Sequence, residues 1–548
     1  MPEQSPVPAW VAELRLAYES AAHGQFVLYG NVADRFPLDG RLVSLTRYLE
    51  AKLLGTFDIV FLYDPGNGLS LLRGGERFAQ WPAAAQIQWP LDPREAVQLI
   101  SRYLRYRANL QALGRGDSEH VAVILRGAEL VLPTSRQGDF ASASLASLVR
   151  DWAAEPPFAD MAFASLLIAD NLNDLHPLVA NNPRIDRVQV PLPDADSLSQ
   201  CLAQLRLDHP AAFADEDNGA VQALAGVSLS ALASLVKRRA HEGKVLGAQD
   251  WIEAKKELVE NDSAGLVEFI ESKRTLDDYH AQEALKVWLR QDMALWQASD
   301  LRALPKGYIF CGPVGTGKTY LVECLAGEAG VPVVKLKNFR DRWVGSSEGN
   351  LEKIFRLIRG LGRCIVFIDE ADQSLGKRDG GSGDSGLSGR LYSMIAQEMG
   401  DADNRGKVIW ILASSRPDLI EVDLKRPGRV DVKIPLLPTT TVEESAALLK
   451  ALLGRFELKL ETKALVKLPL PLLLTPGAAE ALAVKVYRQV RTAQMQPLAA
   501  LKHCLQGYQP PVAEQVLRLQ MSIAIREATD MAFVPESLRH LGQEPPQP

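Results

Sequence analysis

Short apolar runs bounded by glycine or proline recur along the chain, separated by longer stretches of helical spacing. In the second half, Tyr308-Ile309-Phe310-Cys311 lies between Gly307 and Gly312, and similar runs occur at 331–336, 364–368, 408–413 and 430–434. Stretches of helical periodicity fall between them at 318–328, 348–359 and 387–398. Unbroken apolar runs of this length suit strands buried on both faces, and their alternation with helices predicts βαβ units on a parallel sheet. From Thr441 the pattern turns helical, at 442–453, 476–493 and 511–528, and 542–548 reads as a frayed tail. The first half has the same rhythm, with runs at 26–29, 59–63, 121–125, 164–169 and 188–191 and helices at 197–205 and 228–239. A charged stretch, 251–273, joins the halves as helix plus linker. No run approaches the roughly 18 apolar residues of a membrane-spanning helix.

One strand-to-helix junction carries chemistry. Gly312-Pro313-Val314-Gly315-Thr316-Gly317-Lys318-Thr319 has the spacing G-x-x-x-x-G-K-[ST], comes directly after a predicted strand and opens a predicted helix, the context that marks a P-loop. Glycines let backbone N–H groups turn inward around phosphate oxygens, and the helix N-terminus adds a favourable dipole. Lys318 reaches the β- and γ-phosphates of ATP, and the Thr319 hydroxyl can ligate Mg²⁺. Downstream, Cys364-Ile365-Val366-Phe367-Ile368 is a buried strand ending in Asp369-Glu370. Alone, that pair could cap the next helix. Behind a P-loop, Asp369 becomes a Mg²⁺ ligand, direct or through water, and Glu370 the group that polarises the attacking water.

Composition narrows the class. The 548 residues suggest three to four domains, and 61 basic against 67 acidic residues give 61 − 67 = −6. That charge, with no basic aromatic-rich stretch, disfavours nucleic acid as partner. Five widely spaced cysteines (Cys201, Cys311, Cys324, Cys364 and Cys504) form no C-x-x-C pair, which fits a reducing cytoplasm. The opening Met1-Pro2-Glu3-Gln4-Ser5 lacks the basic and apolar regions of a secretory signal.

The second half resembles the classical AAA branch of the AAA+ ATPases from about Leu276 to Ala493. Pro305-Lys306-Gly307, Gly312 to Thr319, Ile368-Asp369-Glu370-Ala371-Asp372 and Arg426-Pro427-Gly428-Arg429-Val430-Asp431 carry the resemblance. It implies a ring, usually a hexamer, with ATP at each subunit boundary. Tyr320 joins the nucleotide-binding set, and Arg426 and Arg429 reach a neighbour's γ-phosphate as arginine fingers. A guanidinium suits that task because it is always charged and contacts two oxygens; the competing reading is local pairing with Asp423 or Asp431. Arg342-Trp343-Val344-Gly345 resembles the family's first pore loop, where Trp343 and Val344 would grip substrate polypeptide, against the alternative of a core tryptophan. The glycine-rich stretch 376–389 resembles the second. Ser415 stands where the family's sensor asparagine is usual, and its shorter hydroxyl reaches less far. His280 and Ala281 stand where the adenine-lining segment usually has glycines, and Thr475-Pro476-Gly477 resembles the lid turn near the adenine.

Pro183-Arg184-Ile185-Asp186-Arg187-Val188 in the first half parallels Pro427-Gly428-Arg429-Val430-Asp431-Val432 in the second, and Leu167-Ile168-Ala169 parallels Ile411-Leu412-Ala413. The first half therefore reads as a degenerate AAA-like module, with two unrelated α/β domains as the alternative. Gly30-Asn31-Val32-Ala33-Asp34-Arg35 lacks P-loop spacing and lysine, and Val123-Ile124-Leu125-Arg126 ends without a carboxylate pair. A silent first half and an active second half also resemble AAA proteins encoded as hypothetical reading frames in cyanobacterial and plastid genomes. The stretch from Lys256-Glu257-Leu258-Val259-Glu260 through Phe269-Ile270-Glu271 to Leu276-Asp277-Asp278 resembles their linker. The expected organisation is an N-terminal segment 1–20, a degenerate module 21–245, a linker 246–275, an ATPase core 276–438, a helical lid 439–535 and a tail 536–548. The leading functional reading is a cytoplasmic, Mg²⁺-dependent ATPase ring that remodels or threads a protein substrate. An ATP-dependent assembly switch or scaffold is the alternative, and a nucleic-acid loader the weaker one. A self-contained protease is disfavoured, since no H-E-x-x-H occurs.

Overall fold

The computed structural model describes residues 7–543 apart from 116–118, 135–138, 214–220, 222–223, 248–249, 252–254, 257–258, 261–262, 264–265, 280–282, 299–301, 338–346, 376–384 and 403. At 347, 348 and 385–389 it describes the backbone alone. The chain divides into two compact units: Met1–Val259 with Glu348–Gly360, and Glu260–Ser347 with Leu361–Pro548.

In the first unit, β1 (Gln25–Gly30) precedes a hairpin of β2 (Arg35–Leu38) and β3 (Arg41–Ser44). Then come β4 (Ile59–Asp64), β5 (Gly68–Arg73), β6 (Val121–Leu125), β7 (Phe163–Ala169) and β8 (Asp186–Val190). Six of these strands form one sheet in the order β5-β4-β6-β7-β1-β8, parallel except for the edge strand β5. All residues of β6 and β7 are buried, as expected for central strands covered on both faces. Phe61, Tyr103 and Trp152 belong to the core on one face, and Phe26, Tyr48 and Trp10 to that on the other.

The second unit holds β9 (Val267–Ile270), β10 (Gly307–Cys311), β11 (Val333–Leu336), β12 (Cys364–Ile368), β13 (Val408–Ser414) and β14 (Val432–Pro435). Their order is β14-β10-β13-β12-β11-β9, parallel except for the edge strand β9. Numbering only the parallel strands along the chain, both sheets read 5-1-4-3-2. The local geometry repeats too. Gly30 N donates to Asp170 O and Gly312 N to Ser414 O, each at 3.2 Å, at the end of strand 1 of its sheet.

Where a phosphate loop would come after Gly30, the first unit places the carboxylate of Asp34. Asp34 is 5% exposed and accepts hydrogen bonds from Asn31 Nδ2 (2.9 Å), Leu229 N (3.0 Å), Ser230 N (2.8 Å) and Ser230 Oγ (2.7 Å). It ties the loop to the first turn of the helix Leu229–Glu242, satisfying amides that a helix start leaves orphaned.

The observed elements differ from the sequence expectation in four places. Residues 267–270, expected as linker, are strand β9, because Val267 and Phe269 alternate inward with Glu268 and Ile270. The helix Glu514–Glu527, expected within the lid, packs on the sheet: Cys311 Sγ lies 3.6 Å from Ala524 O, and Lys433 Nζ pairs with Glu527 at 2.8 Å. Part of the expected tail is a 3₁₀ helix, Glu536–Gly542, whose Leu538 and Leu541 pack with Met521 and Ile525. Residues 348–360, read as an ATPase-core helix, group with the first unit, where Arg356 Nη2 donates to Asn171 Oδ1 at 2.8 Å. The lid core is built from Val442–Arg455, Pro476–Thr492 and Pro497–Gln506. All five cysteines are buried thiols. Among the described residues no helix is long and apolar enough to cross a membrane.

Candidate nucleotide site

The loop after β10 is shaped by steric necessity. Gly312 has φ +148°, and a Cβ there would sit 2.1 Å from Leu436 O, so no other residue fits. Gly317, at φ +81°, turns the chain into the helix Lys318–Ala329. Thr316 Oγ1 donates to Pro313 O at 2.9 Å, and Tyr279 Oη to Thr316 O at 3.0 Å, pinning the loop from inside and outside. Lys318 Nζ folds back onto Gly312 O (2.8 Å) and Pro313 O (2.9 Å), so the loop carbonyls hold the ammonium that phosphate oxygens would recruit. Burial pulls its pKa down to about 8, with nearby acidic groups opposing.

Across from the loop stands the end of β12. Thr319 Oγ1 donates to Asp369 Oδ2 at 3.2 Å, which joins the two groups expected to share a metal. Glu370 comes next with φ +47° and ψ 48°, a left-handed conformation rare for a residue with a Cβ. Its carboxylate is exposed at the pocket wall. Asp372 accepts from Ser414 Oγ at 2.5 Å, and Ser414 Oγ also accepts from Arg416 N at 2.9 Å. Ser415 lies beside this pair, lining the same pocket.

The pocket is a cleft of about 800 Å³, ample for a nucleoside triphosphate. Val314, Gly315, Gly317, Lys318, Thr319, Tyr320, Asp369, Glu370 and Ser415 line it. Asp277, Asp278 and Tyr279 form one side, and Arg455, Gly477 and Glu480 of the lid another. The lid touches the loop directly, Gly477 N donating to Gly315 O at 2.9 Å. Tyr320 stacks on Tyr279 with ring centroids 6.4 Å apart and accepts from Arg455 Nη2 at 2.8 Å.

Other expected site residues lie elsewhere. Gly312, Pro313 and Thr316 are buried supports of the loop rather than its surface. Arg426 and Arg429 are outside the pocket, and both rest on Asp423. Arg426 Nη1 is 3.0 Å from its carboxylate, and Arg429 Nη1 bonds the same carboxylate and donates to Asp423 O at 2.6 Å. Arg426 first and Arg429 second hold the Asp423 carboxyl below its usual range. Within one chain the local pairing with Asp423 is therefore realised. Asp431 is taken up by backbone, accepting from Gly428 N and Lys306 N. Trp343, Val344, His280, Ala281 and residues 376–384 lie outside the described residues.

Sequence reasoning missed Lys335, whose Nζ is 2.9 Å from Asp369 Oδ2. Its signal is a lysine inside the apolar run Val333-Val334-Lys335-Leu336. The sequence pattern gives Asp372 no role of its own, and Arg455 and Glu480 are brought to the site only by the lid's fold.

The donor set fits Mg²⁺. A hydroxyl and one carboxylate face each other at the mouth of a phosphate loop, which suits a hard cation completed by phosphate oxygens and water. Among the described residues no cluster of three or more His, Cys, Asp or Glu offers an all-protein metal site.

Comparison with known proteins agrees with this geometry. Residues 1–191 match the family model described as the AAA+ chaperone, N-terminal Rossmann-like domain. Residues 308–437 match that of the ATPase family associated with various cellular activities (AAA). The chain is similar to the cell division cycle protein 48 homolog of Archaeoglobus fulgidus, at 34% identity over 164 residues, 29% of this chain and 22% of that protein. It is similar to the peroxisomal ATPase PEX6 of Penicillium chrysogenum, at 37% over 159 residues, 28% of this chain and 11% of that protein. It is also similar to the ATP-dependent zinc metalloprotease FtsH 1 of Salinibacter ruber, at 37% over 138 residues, 24% of this chain and 20% of that protein. The chain thus spans less than a quarter of the length of each of these relatives.

Proposed function

Because the chain carries an AAA ATPase domain behind an AAA+ chaperone N-terminal domain, we propose that it is an ATP-driven remodeller of protein substrates working as a ring of its own copies. The observation that carries the ATPase chemistry is the closed constellation of phosphate loop, Thr319–Asp369 contact and Glu370 around one cleft. Amides of the loop cradle the phosphates, and Lys318 exchanges its two carbonyl partners for phosphate oxygens. Thr319 and Asp369 would hold Mg²⁺, which would supply positive charge to offset that of the phosphates. Glu370, exposed to the cleft, orients the attacking water and accepts its proton. Ser415, just past the end of β13, contacts that water or the γ-phosphate.

Arg426 and Arg429 leave Asp423 and reach the γ-phosphate of a neighbouring copy. Their placement outside their own chain's pocket supports a role in trans, and the exposure of the Arg426 side chain, 69%, leaves it accessible. Trp343 and Val344 engage polypeptide in the central channel, a reading supported by the family resemblance of their loop. Trp343→Ala should spare ATP hydrolysis while abolishing processing of an unfolded model substrate. Processing that survives this change would favour the assembly-switch reading, for which Ser415 and the loop occupied by Asp34 speak.

A further inference from the structure

Lys335 sits on β11, in parallel register with Phe367 of β12, two residues before Asp369. Its ammonium lies over the Phe367 ring, with Nζ 5.6 Å from the centroid, and its side chain is 25% exposed. The ammonium therefore belongs to the sheet rather than to a mobile surface. Every arm of the Asp369 carboxylate is engaged: Oδ2 accepts from Lys335 Nζ (2.9 Å) and Thr319 Oγ1 (3.2 Å), and Oδ1 accepts from Glu370 N (3.1 Å). A divalent cation held beside Thr319 would meet the same Asp369 oxygen that already pairs with the Lys335 ammonium. Two cations on one carboxylate oxygen repel across a partly dry cleft, where charge is poorly screened.

We propose that Lys335 is a positioning residue that sets the metal requirement of the site. It fixes the Asp369 carboxylate in the metal-free protein and weakens the hold of the site on the divalent ion. Stable metal binding then depends on the extra negative charge that nucleotide phosphates bring. The inference rests on the assignment of Thr319 and Asp369 as the metal side of the site.

The test titrates Mn²⁺ by electron paramagnetic resonance into the full chain saturated with ADP. Fluorescent-nucleotide affinity is measured separately in EDTA. Lys335→Met keeps the stem and removes the charge. It should tighten Mn²⁺ by about tenfold, the scale of one neighbouring charge at a few ångströms, and leave the metal-free nucleotide affinity unchanged. Lys335→Arg should restore the wild-type Mn²⁺ affinity, an outcome that a purely packing role does not give. Unchanged or weaker Mn²⁺ binding in Lys335→Met, with Thr319→Ala still abolishing it, would overturn the role of Lys335 alone. Mn²⁺ binding that Thr319→Ala leaves intact would overturn the metal assignment itself.

Discussion

Glu370 combines a catalytic assignment with an unfavourable backbone. A left-handed conformation costs a residue with a Cβ roughly 1–2 kcal/mol, and Glu370 adopts one at the end of β12. Such strain is tolerated where the surrounding structure enforces it, commonly at functional sites. Glu370→Gly should therefore raise the melting temperature of the second unit while removing ATP turnover; a lowered melting temperature would show that the side chain itself supports the fold. Asp292 makes a comparable point about charge. It is buried in the helix Glu283–Gln297, accepts from Tyr308 Oη at 2.8 Å, and burial raises its pKa to about 6. A carboxyl whose folded pKa exceeds its unfolded value near 4 favours folding when protonated. Its ionisation thus costs stability above pH 6, and that cost disappears as pH falls through 6 toward 4. Asp292→Asn should raise the melting temperature by roughly 2–4 °C at pH 7.5, with the gain shrinking by pH 4.5. A gain independent of pH would assign the effect to packing.

At the scale of elements, both units attach a lid helix to the loop after strand 1, by different means. Ser228 and Thr475 cap the two helices alike, accepting from Ala231 N and Ala478 N. In the second unit a backbone bond from Gly477 to Gly315 joins them beside an open cleft. In the first, the Asp34 carboxylate fills the corresponding corner and binds the helix start. Asp34→Ala should cost on the order of 2–3 kcal/mol, since it orphans buried donors. Amide exchange at 229–236 should accelerate while ATP binding persists. Slow exchange in the variant would mean that the carboxylate does not hold the lid.

The chemistry of the second unit was legible because it sits where a strand meets a helix, and there the steric and electrostatic demands select particular residues. Gly312, Lys318, Thr319 and Asp369 are such residues. The rest depended on partners distant along the chain. Val267 and Phe269 alternate over only four residues, too few to separate a strand from a linker. The helix Glu514–Glu527 has the same apolar spacing whether it faces a lid or a sheet, and partners across the fold such as Cys311, Val314, Lys425 and Lys433 decide it. Lys335 gains meaning from its register against Phe367, which sequence spacing does not contain.

At the scale of the whole molecule, the chain builds the 5-1-4-3-2 strand order twice, once with a phosphate loop open to a cleft and once with a loop closed by its own aspartate. One unit should turn over ATP and the other should not. The arginines test the ring proposed above. Arg429→Ala should bind ATP and fail to hydrolyse it. Mixing that variant with Glu370→Gln should recover part of the activity, because each supplies what the other lacks across a boundary between copies. Two inactive variants that stay inactive when mixed would confine Arg429 to its bond with Asp423.

The most direct measurement is a single-turnover assay of Glu370→Gln with Mg²⁺ and ATP. The account predicts ATP affinity close to that of the unaltered chain and a hydrolysis rate lower by about a hundredfold or more, the scale of losing a positioned general base. Hydrolysis at the original rate would contradict it.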